Sequence, residues 1–145
     1  MAMTNKLNID IIYTSDSELI LPLQNELKSE VNIFAGGISC LVHSSDYYDV
    51  IYFIAKHNEN IIGSATVLVY NEACEIYKLF VSKEFRCRSV GSFLVSNIVN
   101  YMRSIGKKEM KVEAINESID FWKKTCCNYN IDQDLSCMKN IIFTL

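Results

Sequence analysis

Residues 75–95, EIYKLFVSKEFRCRSVGSFLV, hold the most restrictive pattern in the chain: a strand-like apolar run enters a basic turn and passes directly into an apolar helical run. A strand that feeds a helix start in this way brings backbone N–H groups, Arg86 and Arg88 to one corner, which makes a ready anion site. The phosphate of a nucleotide-like cofactor is the candidate anion.

The rest of the chain organises around that junction. Residues 7–13 read as a first strand, and Thr14, Ser15 and Asp16 supply turn and cap chemistry before a helix over 18–31. Leu19, Leu23 and Leu27 recur at four-residue spacing there, so one stripe faces a core. Residues 34–49, with Gly36-Gly37 and Ser44-Ser45-Asp46, read as a loop holding one short helix, placed to shape the substrate side of a site. Strands at 50–55 and 61–70 flank the polar turn Asn58-Glu59-Asn60, and a further turn at Asn71-Glu72 leads to a strand at 74–81, giving an antiparallel meander. Helical periodicity over 90–101 puts Leu94, Ile98 and Tyr101 or Met102 on one face and stops near Gly106. A strand at 110–114, a short helix from Asn116 lined by Ile119, Trp122 and Cys126, and strands at 129–131 and 138–144 complete the series. This order predicts an α/β fold with a mixed sheet covered by helices on its faces. It is not a dinucleotide fold, because Gly-x-Gly-x-x-Gly is missing and Gly91 stands alone.

At 145 residues, half of them hydrophobic, residues 1–145 fit one domain with one sizeable core. Fourteen basic against seventeen acidic residues, a net charge of -3, argue against a protein held to nucleic acid by phosphate neutralisation. The six cysteines lie mostly in apolar segments without a spaced framework, which points to reduced thiols inside a cell. Adjacent Cys126 and Cys127, with His43 and His57 remote, do not make a metal site. The start MAMTNKLNIDII lacks a secretory pattern and no apolar run approaches a membrane span, so the expected location is the cytoplasm, or the nucleus in a eukaryote.

In the turn itself, Gly91 permits close approach, Ser89 is small, and the N–H groups of Arg88, Ser89, Val90, Gly91 and Ser92 are unpaired at a helix start. They suit a pyrophosphate; the alternative is an ordinary helix start flanked by solvated arginines. The segment resembles the acetyl-CoA-binding motif of the GNAT family of N-acetyltransferases, which runs Gln or Arg, two residues, Gly, one residue, then Gly or Ala. Arg86, Ser89 and Gly91 occupy its positions, with Ser89 in place of the first glycine. Val112-Glu113-Ala114-Ile115-Asn116 followed by Phe121-Trp122-Lys123-Lys124 resembles the family's second cofactor-contacting region, where an Asn opens a helix that carries an aromatic pair usually ending in Tyr. The resemblance spans the chain from first strand to last. It implies a GNAT-like, largely antiparallel sheet with a splayed strand pair, a single acyl-CoA N-acyltransferase-like domain, and acetyl-CoA as cofactor. Its pantetheine arm would run beside the backbone of Phe80 and Val81, its pyrophosphate would meet the Arg88 to Ser92 amides, and Asn116 and Trp122 would lie in the second contact region.

An amine must lose a proton to attack a thioester, so a carboxylate near the splay is the first candidate base. Glu75 fits: the protein-acetylating branch of the family resembles this chain in carrying its catalytic Glu there. Strict alternation puts Glu75, Tyr77 and Leu79 on one face and Ile76, Lys78 and Phe80 on the other. Tyr77 sits where small-molecule-acetylating relatives have a Glu, as a hydroxyl source or as pocket wall. Glu113 and Asp120 are reserve acids or bases. Trp122 departs from the family's Tyr, since indole cannot protonate a leaving thiolate. Cys126 and Cys127 read as packing, and Cys87, between two arginines, as a thiol of lowered pKa. The resemblance implies transfer of acetyl from acetyl-CoA to a primary amine, a protein lysine or a polyamine. The alternative is a catalytically weak or inactive acyl-CoA-binding or protein-interaction module of the same fold. Exposed edge strands allow a homodimer.

Overall fold

In a computed structural model that describes residues 8–30, 45–113, 118–131 and 140–145, the apolar runs become strands of one sheet with helices against both faces. In chain order the described elements are β1 (Asp10–Thr14), α1 (Leu21–Glu30), β2 (Asp49–His57), β3 (Asn60–Val69), β4 (Ala73–Val81), α2 (Val90–Ser104), β5 (Glu109–Glu113), α3 (Ile119–Cys126), β6 (Asn130–Ile131) and β7 (Asn140–Thr144). The strands lie in the order β1-β2-β3-β4-β5-β7-β6. Every neighbouring pair is antiparallel except β4 and β5, which run parallel. This is the mixed, largely antiparallel sheet that the element order predicts.

The local chemistry sets several boundaries. The first strand begins at Asp10, and Leu7 lies outside the described residues. The first helix opens as a 3₁₀ turn over Ser17–Ile20, where the Asp16 carboxylate accepts the Glu18 N–H at 3.0 Å. Its tighter winding turns Leu19 outward and Ile20 inward, so the buried stripe is Ile20, Leu23, Gln24 and Leu27 rather than the one built on Leu19. Of the long loop, residues 34–44 lie outside the described residues, while Ser45 and Tyr48 bridge a tight turn before β2. The β2–β3 turn is two residues long: Asn58 and Glu59 have φ of 48° and 72°, and Asn60 already pairs with His57. Two left-handed residues give the turn the twist of the strands it joins. At the end of α2, Gly106 (φ 81°) donates to the Arg103 carbonyl, and Lys107 donates to that of Met102, a glycine-terminated helix end.

Apolar side chains fill both faces of the sheet. On one, Leu94, Ile98 and Met102 of α2 and Trp122 of α3 meet Ala65, Val67, Cys74, Ile76, Met110 and Val112. Gly63 lets α2 approach: a Cβ there would lie 3.1 Å from Val90 Cγ1 and 3.3 Å from the Phe80 carbonyl. On the other, Ile20, Leu23 and Leu27 pack on Val50, Tyr52, Ile54, Leu68 and Phe80. The register of β3 with β4 shifts between Thr66 and Val67, leaving Tyr77 as an extra residue opposite neither. Strict alternation along β4 is broken by this bulge. Cys74 and Ile76 before it, and Leu79 and Val81 after it, all face α2, so Glu75, Lys78 and Phe80 share the α1 face. Among the described residues no helix is long and apolar enough to cross a membrane.

Two predictions follow from this packing. Glu59→Gly relieves a left-handed glutamate, a conformation that costs an L-residue about 1–2 kcal/mol, against the unfolded-state cost of a glycine and the loss of a 4.0 Å pair with Lys56 whose Glu59 side is 95% exposed. Strain wins, and urea unfolding should show a net gain of about 0.5–1 kcal/mol. Burial pushes the Cys74 thiol up from 9.0 to about 12, with the charge of Lys107 opposing weakly. Its contribution to stability is complete below pH 9 and falls away between pH 9 and 12, because the unfolded thiol ionises first. The parent should lose about 1.4 kcal/mol per pH unit more than Cys74→Ala in that window.

Candidate functional site

β4 pairs with β5 only from Ala73↔Glu109 to Ile76↔Val112. Its remaining residues, 77–81, have no register partner on β5 among the described residues; Tyr77 is the bulge, and 78–81 pair with β3 alone. Ser82 N–H donates to the Ile62 carbonyl at 2.8 Å, which fixes the alternation of the backbone behind it. Phe80 therefore commits its amide and carbonyl to Ser64 of β3, while Leu79 and Val81 turn theirs toward the gap beside β5. The backbone facing the gap is thus that of Leu79 and Val81, a correction to the expectation of Phe80 and Val81. The Val81 carbonyl accepts a 2.9 Å hydrogen bond from Arg86 Nε, and the Arg86 guanidinium lies 5.4 Å from the Phe80 ring centroid.

The chain then makes a 3₁₀ turn over Lys83–Phe85 and curls into α2 through two left-handed residues, Cys87 (φ 61°) and Ser89 (φ 68°). Ser89 occupies a backbone position that favours glycine, which accounts for the glycine the motif usually carries there. Ser89 makes no side-chain cap; its carbonyl accepts from Phe93 N–H at 3.0 Å, so the N–H groups of Val90, Gly91 and Ser92 have no acceptor within the helix. Arg88 is exposed beside them. A cleft of about 340 Å³ adjoins this helix start, lined by the hydroxyls of Ser89, Ser92 and Ser96, by Thr125, and by the rings of Phe93 and Tyr129.

The aromatic pair of α3 divides its labour. Trp122 is 3% exposed and turned into the core, 6.2 Å from the Phe143 ring, because the amphipathic phase of α3 points it at the sheet. Phe121 faces α2 instead, where a Cβ on Gly91 would lie 3.0 Å from its ring. Sequence reading singled out Trp122; the ring that borders the helix start is Phe121. The space above Gly91 is taken by that ring. Asn116 lies outside the described residues, as does the Cys126 side chain.

On the opposite face Glu75 sits one residue before the last β4/β5 pair and accepts a 3.3 Å hydrogen bond from the Tyr70 hydroxyl. Tyr70 in turn meets Tyr48 edge-on, at 5.8 Å. Burial, then the charge and the hydrogen bond of Glu75, raise the Tyr70 pKa, which keeps its hydroxyl a proton donor. Tyr70 left no signal in the sequence, because its position depends on the β3–β4 turn. Tyr77, at the bulge, is 46% exposed. Glu113 and Asp120 are exposed, as are the thiols of Cys87 and Cys127. Among the described residues no three His, Cys, Asp or Glu side chains group as metal ligands would.

Residues 24–126 match the family model described as the acetyltransferase (GNAT) family. The search of curated proteins found no match. Among solved structures, the chain is similar to an aminoglycoside acetyltransferase from an uncultured soil metagenomic sample, in complex with sisomicin (16% identity, TM-score 0.64, covering 87% of this chain and 91% of that one). It is similar also to the PaiA N-acetyltransferase of Thermoplasma acidophilum in complex with coenzyme A (13%, TM-score 0.61, 93% and 98%). A GNAT-family acetyltransferase of Staphylococcus aureus Mu50 is a third (18%, TM-score 0.60, 94% and 99%). At these identities the likeness is one of fold.

The contact between Gly91 and Phe121 is testable through stability. Gly to Ala inside a helix ordinarily gains about 1 kcal/mol, but here the new methyl meets the ring. Gly91→Ala should fail to stabilise the parent and should stabilise a Phe121→Ala variant by about 0.5–1 kcal/mol, a coupling that a double-mutant cycle in urea would read.

Proposed function

This chain belongs to the acetyltransferase (GNAT) family, and from that premise we propose that it transfers an acetyl group from acetyl-CoA to a primary amine. The observation that carries the reading is the opening of the parallel β4/β5 pair after Ile76, next to a left-handed turn whose helix-start N–H groups lack acceptors. The residues present fit the cofactor chemically. The free amides of Val90, Gly91 and Ser92, with Arg88 beside them, suit a diphosphate, and Arg86 braces the turn by bonding back to Val81. The N–H groups of Leu79 and Val81 and the Leu79 carbonyl suit the amides of a pantetheine arm. Acetyl-CoA supplies an activated acetyl thioester.

The acceptor then approaches from the α1 face, where Glu75 stands. Its ammonium gives one proton to the Glu75 carboxylate, directly or through water, which frees the nitrogen lone pair. Tyr70 holds that carboxylate in place through its hydroxyl. The amine nitrogen bonds to the acetyl carbonyl carbon, the carbon–sulfur bond breaks, and the nitrogen loses its second proton. Of those two protons one ends on the CoA sulfur and the other in solvent. With Trp122 in the core, no hydroxyl stands at the family's Tyr position to protonate the thiolate. A thiol with a pKa of about 8.5 leaves without one. The resemblance around Glu75 by itself would give a lysine side chain or a polyamine as acceptor.

Calorimetric titration of the purified chain with acetyl-CoA and with CoA tests the reading. Saturable binding of both is the expected result, and a folded chain with no affinity for either would overturn it. In a thiol-release assay, Glu75→Gln should keep the acetyl-CoA affinity and lose about 10²- to 10⁴-fold in turnover. Binding without turnover of any amine would instead favour an acyl-CoA-binding module.

A further inference from the structure

The bulge at Tyr77 falls where the β4/β5 pairing ends. It moves Lys78 onto the α1 face, beside Glu75. Glu75 is opposite Leu68 and Lys78 opposite Thr66, two residues apart on β3, so their Cα atoms are about 7 Å apart along the strand. Without the extra residue, alternation would send Lys78 to the cofactor side. Across the sheet, Glu75 is in register with Lys111, which shares this face because its neighbours Met110 and Val112 point into the α2 core. Glu75 is thus flanked by an ammonium on its own strand and another on β5, with Glu113 beyond them at the end of β5.

Lys78 is only partly exposed, yet among the described residues its ammonium has neither an ion pair nor a hydrogen bond. An ammonium that no carboxylate neutralises, on the same face as Glu75, is placed to meet an anionic group of a ligand. The same arrangement disfavours a second ammonium close to the first, because the positions that adjoin Glu75 carry Lys78 and Lys111 and the next carboxylate, Glu113, lies beyond Lys111. An amine that carries its own carboxylate a few bonds away matches both signs: its ammonium goes to Glu75, its carboxylate to Lys78 and Lys111.

We propose that the acceptor is a small amino acid, recognised through its carboxylate by Lys78, with Lys111 assisting, while Glu75 takes the proton from its amine. This rests on the transferase reading above and replaces lysine side chains and polyamines as the expected acceptor class. Recognition through a bound carboxylate is selective in a measurable way. An amino acid amide has the same shape and lacks the charge, so the ion pairs alone distinguish the two.

The test is a thiol-release assay with the α-amino acids, their carboxamides, putrescine, spermidine and a lysine peptide blocked at both ends, with acetyl-CoA binding measured in parallel. At least one free amino acid should be the best acceptor, with kcat/KM 10-fold or more above its own amide. Lys78→Gln should bring that acid-to-amide ratio close to one, mainly through KM, with acetyl-CoA affinity retained as evidence of folding. The acid-to-amide comparison in the unaltered chain stands even if the variant misfolds. Equal rates on acid and amide, preference for a diamine, spermidine or the peptide, or acetyl-CoA binding with no amino acid turned over would each overturn the proposal and leave CoA binding intact. Absence of acetyl-CoA binding would strike the transferase reading itself.

Discussion

One backbone irregularity, the extra residue at Tyr77, governs how this molecule is arranged around its gap. In the antiparallel pairing of β3 with β4, that residue has no opposite number, so the strand changes phase. Before it Cys74 and Ile76 anchor β4 to the α2 core; after it Leu79 and Val81 take over the same face. The bulge coincides with the last β4/β5 pair, Ile76↔Val112. One half of β4 is thereby a central strand, and the other half is an open edge with peptide groups to offer. A bulge sharpens local twist, which carries a strand away from its parallel neighbour.

The sheet is stable enough to hold such an opening because it is covered on both sides. The larger core, under α2 and α3, joins β2, β3, β4, β5 and β7, and the smaller one, under α1, joins β2, β3 and β4. Small residues on β3 decide how close the helices come. Gly63 leaves no room for a side chain beneath the start of α2, so the unpaired amides of that helix are held firmly at the end of β4. Gly91 repeats the device one layer out, where it accepts the Phe121 ring. A cradle mounted on two close contacts keeps its geometry, which is the condition for backbone amides to bind an anion well.

The two faces divide the chemistry accordingly. The helix-start amides and the hydroxyls of the cleft lie toward α2 and α3, and the free peptide groups of β4 in the gap between the strands; Glu75, Tyr70, Tyr48, Lys78 and Lys111 lie on the α1 side. Among the described residues no thiol takes part in this division. Cys74 is buried with a raised pKa, and the exposed Cys87 and Cys127 have no neighbouring base among the contacts described.

Much of this was legible in the amino-acid sequence. Strands, helices and the helix stop at Gly106 follow from apolar period and glycine chemistry, which are local properties of consecutive residues. The basic strand-to-helix turn with Arg86, Ser89 and Gly91 is likewise local, and so is the placing of Glu75 on the strand before it. What the chain alone could not disclose depends on partners far away in sequence. The bulge arises from the pairing of Thr66 and Val67 with Lys78 and Ile76, and nothing within residues 75–81 marks it. It overturned the alternation that grouped Glu75 with Leu79, and it exchanged Phe80 for Leu79 at the gap. Apolar spacing put Trp122 on the lined side of its helix, but that this side faces the sheet, and that Phe121 meets Gly91 of α2, depends on tertiary packing. Local periodicity determined which elements form, while long-range pairing decided which way their side chains point, because a single unpaired residue reverses every face after it.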